Sequence, residues 1–209
     1  MDSTDGMQTG ITRITTGPND SYAIELWYHP TYYRNDTVFT TAVPTVGGDL
    51  QEKAQKLCLH YDTAQNLVLD YGLKSRIVAE QPAYGWHHIA LNVVRGQAAS
   101  FYLDGARTAV IAEAEVPHLS GAVLIFAKNS EMAVVDEVRI WRATLSESRL
   151  LSNMYNTIDT AEVYSKGLVA YYPFEKDSTI NGVATKGFTL QNMAPVSKYG
   201  NAEDRKSVV

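Results

Sequence analysis

The stretch that decides the fold is GWHHIALNVVRGQAASFYLDGARTAVI, residues 85–111. It holds two runs rich in β-branched and aromatic residues, 86–94 and 100–103, and each run is followed by a turn signal. The second signal, Asp104-Gly105, accepts the positive φ angles of a two-residue hairpin turn. We therefore predict three consecutive antiparallel strands joined by two tight turns.

The first of these strands has two distinct faces, because successive strand residues point to opposite sides of a sheet. His87, Ile89, Leu91 and Val93 are predicted to share one face, and Trp86, His88, Ala90 and Asn92 the other. A slip of one residue would bring Asn92 into the core and expose Leu91, so we expect a tightly fixed register.

Further strands are predicted on both sides of this stretch. They are SYAIELWY (21–28), VFTT (38–41), LCLHY (57–61), NLVLDY (66–71), AVLIFA (122–127), AVVDEVRIW (133–141) and LVAYYPF (168–174). The pattern changes at Ser146, a typical N-cap residue, and predicts one short helix near 146–156. No second helix-rich region follows, so the sequence predicts an all-β sandwich of antiparallel sheets.

Composition excludes several classes of protein. A net charge of -5 argues against nucleic acid and anionic membrane surfaces as partners. The longest apolar run, 122–127, is only strand-sized, so we expect no membrane insertion. Cys58 is the single cysteine, so no internal disulfide can form. The first ten residues do not resemble a secretory signal, and an exported protein would carry its signal outside this chain.

Four phrases occur in an order typical of one family: YAIELWYHP, GWHHIALNVVRG, FYLDG and VDEVRIWRATLSESRL, within residues 20–155. In this respect the chain resembles the laminin-G-like (LamG-like) branch of the concanavalin A-like lectin/glucanase jelly rolls, as found in bacterial surface proteins. The resemblance implies a jelly-roll β-sandwich of two packed antiparallel sheets, and it leads us to expect a bacterial source.

The order of phrases departs from the family pattern at one point. A family member normally begins with a strand like LVAYYPF, a GTLQN-like strand and a phrase ending in GNA, whereas here these phrases lie within 168–202. We predict that 1–209 is a single LamG-like jelly roll in which 166–209 folds back to supply the missing strands. The alternative is one domain over 1–160, with 166–209 as the truncated start of a tandem second copy.

The sequence gives little support for catalysis. Glycosidases need two carboxylates placed a few ångströms apart. The E-x-D-x-x-E phrase of the related glucanases is absent, and strict alternation would place Asp136 and Glu137 on opposite faces of their strand. We therefore predict that the protein is not an enzyme, with a glycoside hydrolase as the remote alternative.

Calcium is the cofactor that the family resemblance implies. Asp136, at the head of the last strand before the helix, matches a position whose carboxylate often binds calcium in this fold, and Asp20 is a second candidate ligand. Hard cations prefer such oxygen ligands. The alternative role for Asp136 is to accept backbone N–H bonds at the strand end.

For sugar binding, exposed aromatic and polar side chains in loops are the best candidates. We predict a ligand-binding loop made of Tyr32, Tyr33, Arg34 and Asn35, which could equally be an ordinary surface loop. The resemblance places Trp27, Trp86 and Trp141 at positions that pack inside, so they are predicted to be core residues.

These observations favour a non-catalytic module that binds a glycan or an extracellular protein. By family analogy we expect it to be monomeric within a larger secreted or cell-surface protein, and to act in the extracellular space or at the cell surface. The alternative is a structural spacer or adhesion repeat with no ligand of its own.

Overall fold

The computed structural model describes residues 7–8, 20–30, 36–42, 56–112, 116–117, 119, 123–126, 134–158, 167–173, 189–190 and 202–204. Within these ranges the chain forms two antiparallel sheets and one helix, α1 (Glu147–Tyr155). The predicted all-β sandwich with one short helix near 146–156 is confirmed. No helix of the described residues is long and apolar enough to cross a membrane.

The first sheet has eight strands. In spatial order they are β13 (Thr189–Leu190), β14 (Ala202–Asp204), β1 (Met7–Gln8), β10 (Val123–Phe126), β3 (Thr37–Ala42), β4 (Leu57–Tyr61), β5 (Leu67–Tyr71) and β6 (Lys74–Ala79). The second sheet has six strands. In spatial order they are β12 (Leu168–Tyr172), β11 (Val134–Trp141), β2 (Tyr22–His29), β7 (His87–Val94), β8 (Ala98–Leu103) and β9 (Ala106–Ala112).

The predicted three-strand meander corresponds to β7, β8 and β9, which pair in sequence order. The turn between β8 and β9 has φ angles of 51° at Asp104 and 79° at Gly105, as a two-residue hairpin of this type requires. A Cβ on Gly105 would also collide with the side chain of Leu151 on α1. Glycine therefore suits this turn, and a larger residue would also require the side chain of Leu151 to move.

The main core lies between the two sheets. Its fully buried members include Tyr22, Ile24, Leu26 and Tyr28 from β2, Leu57, Leu59 and Tyr61 from β4, and Ile89, Leu91 and Val93 from β7. The face assignment predicted for β7 is therefore confirmed. Each large apolar side chain buried in this way contributes roughly 1.5–3 kcal/mol to folding.

An arginine closes one side of the sandwich. Arg76, on the edge strand β6, donates from Nη1 to the carbonyl oxygen of Val110 on the edge strand β9 at 2.8 Å. One side chain thus links the outer edges of the two sheets.

Strand β12 lies beside β11 and pairs with it in antiparallel orientation. Ala170 and Tyr172 are in the main core, whereas Tyr171 lies on the opposite face of the sheet. In this arrangement the LVAYYPF phrase occupies the position next to β11. That residues 1–209 form a single domain, with 166–209 folded back onto it, stays a prediction.

Deleting residues 166–209 tests that prediction. The deletion removes β12, leaves one edge of β11 unpaired and takes away the four buried side chains of β12. We therefore expect a lower and less cooperative thermal transition by circular dichroism. A chain that lacks only 174–209 keeps β12 and serves as the matched comparison. If the chain lacking 166–209 melts as cooperatively as the full chain at the same temperature, the tandem-copy alternative is favoured.

Candidate functional site

Strand β2 sends alternate side chains into two different environments. Those on the outer face of the six-stranded sheet, away from the main core, are Ala23, Glu25, Trp27 and His29. The first two lie under α1, where Ala23 packs in a second apolar cluster with Leu150 and Trp141. Trp27 and His29 are only partly buried. The helix therefore covers the outer face at Ala23 and Glu25. The face remains partly exposed at Trp27 and His29, near the C-terminal end of β2.

Three aromatic rings meet at this partly exposed end. The His29 ring lies 5.1 Å from the Tyr84 ring and 5.5 Å from the Trp86 ring, and both pairs are edge-on. Tyr84 is 65% exposed and Trp86 is 45% exposed. We call Tyr84, His29 and Trp86 the aromatic platform. Val134, the cross-strand neighbour of His29, is also exposed and adds apolar surface beside the platform.

A shallow groove of about 500 Å³ lies elsewhere, on the eight-stranded sheet, and is lined by His60, Asp62, Val68, Asp70, Ser75, Arg76 and Ile77. Its polar groups bind one another: Ser75 Oγ donates to Asp70 at 2.8 Å, and His60 Nε2 lies 3.4 Å from the same carboxylate. The residues that line the groove include no Tyr, Trp or Phe. The platform is therefore the better candidate for stacking on a ligand.

A group of buried polar side chains lies under α1. The Oε1 atom of Glu25 accepts hydrogen bonds from Asn153 Nδ2 at 2.8 Å and from Trp141 Nε1 at 3.0 Å. Arg139 Nη1 lies 3.8 Å from the same oxygen, and His88 Nε2 lies 3.7 Å from Oε2. All these side chains are buried. They join β2, β7 and β11 to the helix.

Burial shifts two of these groups in opposite directions. It raises the pKa of Glu25 to about 7, although Arg139, Asn153 and Trp141 all favour the ionised carboxylate. It lowers the pKa of His88 to about 4, and the positive charge of Arg139 acts in the same direction. At neutral pH the His88 ring is therefore uncharged.

Arg139 also holds the C-terminal end of α1. It donates from Nη1 to the carbonyl oxygen of Asn153 at 2.7 Å and from Nη2 to that of Asn156 at 3.1 Å. The last turn of α1 contains no basic residue of its own. Arg139 therefore supplies, from the sheet, the positive charge that favours a helix C-terminus.

A β-bulge changes the predicted faces of β11. Between Asp136 and Arg139 the pairing with β2 shifts, and Glu137 has a φ of 51°. The Glu137 carboxylate accepts hydrogen bonds from Arg139 and from the Tyr171 hydroxyl on the outer face. Asp136 lies opposite Trp27 on the same face. The prediction that Asp136 and Glu137 point to opposite faces is therefore wrong, because the bulge interrupts the alternation between them.

The two predicted metal ligands lie at opposite ends of β2. Asp136 is level with Trp27, whereas Asp20 precedes Tyr22 and accepts a hydrogen bond from Arg142 at 3.2 Å. At about 3.3 Å per residue the two positions are separated by about 20 Å, so they cannot share an ion. Asp136 Oδ1 accepts from the N–H of Glu137 at 2.8 Å, which is the alternative role considered above.

Within the part of the chain that the structure describes, no group of three or more His, Cys, Asp or Glu side chains is arranged to hold a metal ion. Asp136 could give a calcium ion one carboxylate ligand, and calcium binding stays a prediction.

The predicted ligand-binding residues Tyr32, Tyr33, Arg34 and Asn35 lie outside the described residues. Trp141 is fully buried, as predicted, but Trp86 is exposed, and its prediction as a core residue is wrong. The segment QPAYGW, 81–86, holds the signal that was missed. Its Pro and Gly predict a connecting segment, and aromatic residues in such a segment at the rim of a sandwich are less easily buried.

Comparison with known sequences identifies the family. A laminin-G-type profile, described as concanavalin A-like lectin/glucanases superfamily, matches residues 2–150. The chain belongs to this superfamily. A search of curated protein sequences found no significant match.

Solved structures share the fold of this superfamily member. A candidate carbohydrate-binding protein from Bacteroides ovatus aligns with a TM-score of 0.61 at 17% identity, over 94% of this chain and 56% of its own. Domain 4 of AbnA, a GH43 extracellular arabinanase from Geobacillus stearothermophilus solved with arabinotriose, aligns with a TM-score of 0.50 at 18% identity, over 71% of each chain. The chain thus spans just over half the length of the first of these proteins.

The opposite shifts of Glu25 and His88 predict a compensated pH dependence. The raised pKa of Glu25 gives stability that is present below pH about 4.5 and is lost as pH rises through about 7. The lowered pKa of His88 gives stability that is present above pH about 6.5 and is lost as pH falls through about 4. Between these limits the two changes oppose each other.

Single variants should therefore reveal slopes of opposite sign. For Glu25→Gln we expect the free energy of unfolding, relative to wild type, to fall as pH falls from about 7 to 4.5, on the order of 3 kcal/mol in total. For His88→Gln we expect this difference to fall as pH rises from about 4 to 6.5, by a similar amount. Urea unfolding across this range measures both slopes, and slopes of the same sign would contradict the assignment.

Proposed function

We propose that this protein is a non-catalytic carbohydrate-binding module, and that the aromatic platform stacks on the sugar. The observation that carries the proposal is the exposure of Tyr84 and Trp86, whose rings both contact His29. Large aromatic side chains that stay exposed in contact with one another are typical of interaction surfaces. The apolar C–H face of a sugar ring is a suitable partner for such rings.

Polar groups near the platform could bind sugar hydroxyls. Glu80 is exposed at the start of the segment that carries Tyr84 and Trp86. Asp136 is partly exposed beside Trp27. A few polar groups around an aromatic surface are the usual arrangement for a site that fixes a ligand's orientation.

The comparisons support the same function. The Bacteroides ovatus protein is a candidate carbohydrate-binding protein, and the AbnA domain was solved with arabinotriose. By analogy we propose that this chain acts within a larger extracellular or cell-surface protein and binds glycan as a monomer. The likeness is one of fold, so the identity of the glycan is left to experiment.

Two of the described carboxylates on the outer face are poorly placed for hydrolysis. Glu25 is completely buried under α1, and Glu137 is engaged by Arg139 and the Tyr171 hydroxyl. Burial and the adjacent Glu137 raise the pKa of Tyr171 to about 12, so its hydroxyl remains a donor. A glycosidase needs two carboxylates that both reach the scissile bond. This pair is committed to holding the helix and the sheet together.

Alanine variants of the platform test the proposal. On a glycan array followed by calorimetry with the strongest glycan, we expect Trp86→Ala and Tyr84→Ala each to weaken binding by about tenfold or more, because each removes a stacking surface. Neither should lower the melting temperature much, because both side chains are exposed.

Tyr155→Ala is the matched control, since Tyr155 is 77% exposed on α1 and outside the platform. It should bind like wild type. Equal binding by Trp86→Ala, Tyr84→Ala and wild type would refute the platform. Silence of the wild type across a broad array would favour the spacer alternative.

We further propose that Asp136 contributes to a calcium site, as the family resemblance implies. If so, calcium should raise the melting temperature relative to EDTA, because an ion that binds only the folded state stabilises it. Asp136→Asn should abolish this shift, whereas Asp20→Asn should retain it. A melting temperature that calcium and EDTA leave unchanged would dismiss the site.

A further inference from the structure

A buried histidine, His87, contacts the backbone of the segment that carries Tyr84 and Trp86. His87, the first residue of β7, is 7% exposed. Its Nε2 atom lies 2.6 Å from the carbonyl oxygen of Ala83, and its Nδ1 atom lies 2.7 Å from Asp104 Oδ2. Carbonyl and carboxylate oxygens are both acceptors, so a ring nitrogen that carries a proton donates to the oxygen that faces it.

Asp104 is a rigid anchor for this histidine. It lies in the β8–β9 turn, and its backbone N–H donates to the carbonyl oxygen of His88 at 2.8 Å. Its Oδ1 atom accepts from the N–H of His88 at 2.9 Å, which leaves Oδ2 directed at the His87 ring. The position of the ring is thus set by a hairpin turn that is itself fixed by backbone hydrogen bonds.

The other end of the segment is tied to the opposite sheet. The N–H of Gln81 donates to Asn66 Oδ1 at 3.3 Å, and its side-chain amide donates to the carbonyl oxygen of Ala64 at 3.4 Å. Both partners lie in the turn between β4 and β5. The segment is therefore attached at Gln81 and at Ala83, both just before Tyr84 in the chain. Trp86 lies directly before His87, so both aromatic residues are next to attached positions.

We infer that His87 and Asp104 are positioning residues for the aromatic platform. They hold the carbonyl of Ala83 and so set the places of Tyr84 and Trp86 beside His29 before any ligand arrives. This inference rests on the proposed function for its biological meaning, because it makes His87 and Asp104 determinants of glycan affinity. A binding surface that is already ordered has a higher affinity, because less conformational entropy is lost when the ligand binds.

The chain offers a well-matched control for this pair. His60 on β4 and Asp70 on β5 form a similar histidine–carboxylate pair on the eight-stranded sheet, with His60 Nε2 at 3.4 Å from Asp70 Oδ2. That pair makes no contact with the 81–86 segment among the hydrogen bonds of the described residues. His60→Gln therefore measures the effect of removing a strand histidine without disturbing the platform.

The test uses fluorine NMR of the full chain labelled with fluorotryptophan, without ligand. Trp27, Trp86 and Trp141 are the three tryptophans, and Trp86→Phe assigns the resonance of Trp86. We expect His87→Gln to shift or broaden the Trp86 resonance, while buried Trp141 is unchanged and serves as the internal reference. His60→Gln should leave the Trp86 resonance unchanged.

Asp104→Asn provides a second variant should His87→Gln fold poorly. Asparagine accepts the positive φ of this turn position and can still bind the N–H of His88, but it loses the carboxylate that anchors His87. We expect it to move the Trp86 resonance in the same direction, and both variants to weaken glycan binding by about tenfold.

The outcomes separate the two proposals. A Trp86 resonance that is identical in wild type, His87→Gln and Asp104→Asn overturns the positioning role, whatever the binding data show. A shifted resonance in a protein that recognises no glycan supports the positioning role and overturns the proposed function. A shifted resonance with unimpaired glycan binding limits His87 to structure and overturns its effect on affinity.

Discussion

The alternation of side chains along β2 is the constraint on which both faces of the six-stranded sheet depend. Tyr22, Ile24, Leu26 and Tyr28 fill the space between the sheets, and this fixes the register of β2 against β7 and β11. The same register places Glu25 under the helix and His29 at the open end of the sandwich. The buried polar cluster and the aromatic platform thus both depend on β2. The burial of the inner face of β2 holds this strand in place.

The covered half of the outer face is held by polar contacts as well as by apolar packing. Taking Glu25 and Arg139 out of water is costly, and a buried ion pair often contributes little net stability. What it supplies here is geometry: Glu25 binds the Asn153 side chain while Arg139 binds the Asn153 carbonyl. A helix rotated or shifted by one residue would leave these groups unpaired. The pair therefore specifies how α1 lies on the sheet, and with it which part of the sheet remains exposed.

What could be predicted from the sequence was what is encoded locally. The Asp104-Gly105 turn, the Ser146 cap, whose side chain accepts from Arg149 N–H, and the two faces of β7 depend on a few adjacent residues. The bulge at Glu137 could not be predicted, because it is stabilised by Arg139 and by Tyr171 on another strand. Nor could the exposure of Trp86, which depends on where the 81–86 segment is tied. The site was predicted least well, since the platform joins residues 29, 84 and 86 from two separate parts of the chain.

The bond from Arg76 to Val110 has a further consequence at the margin of the molecule. Outermost strands invite partners from other chains, because their backbone groups can continue a ladder. Here the Arg76 guanidinium already donates a hydrogen bond to the Val110 carbonyl on β9, and this bond links the edge strands of the two sheets. An incoming strand would have to displace a charged group to add itself at that point.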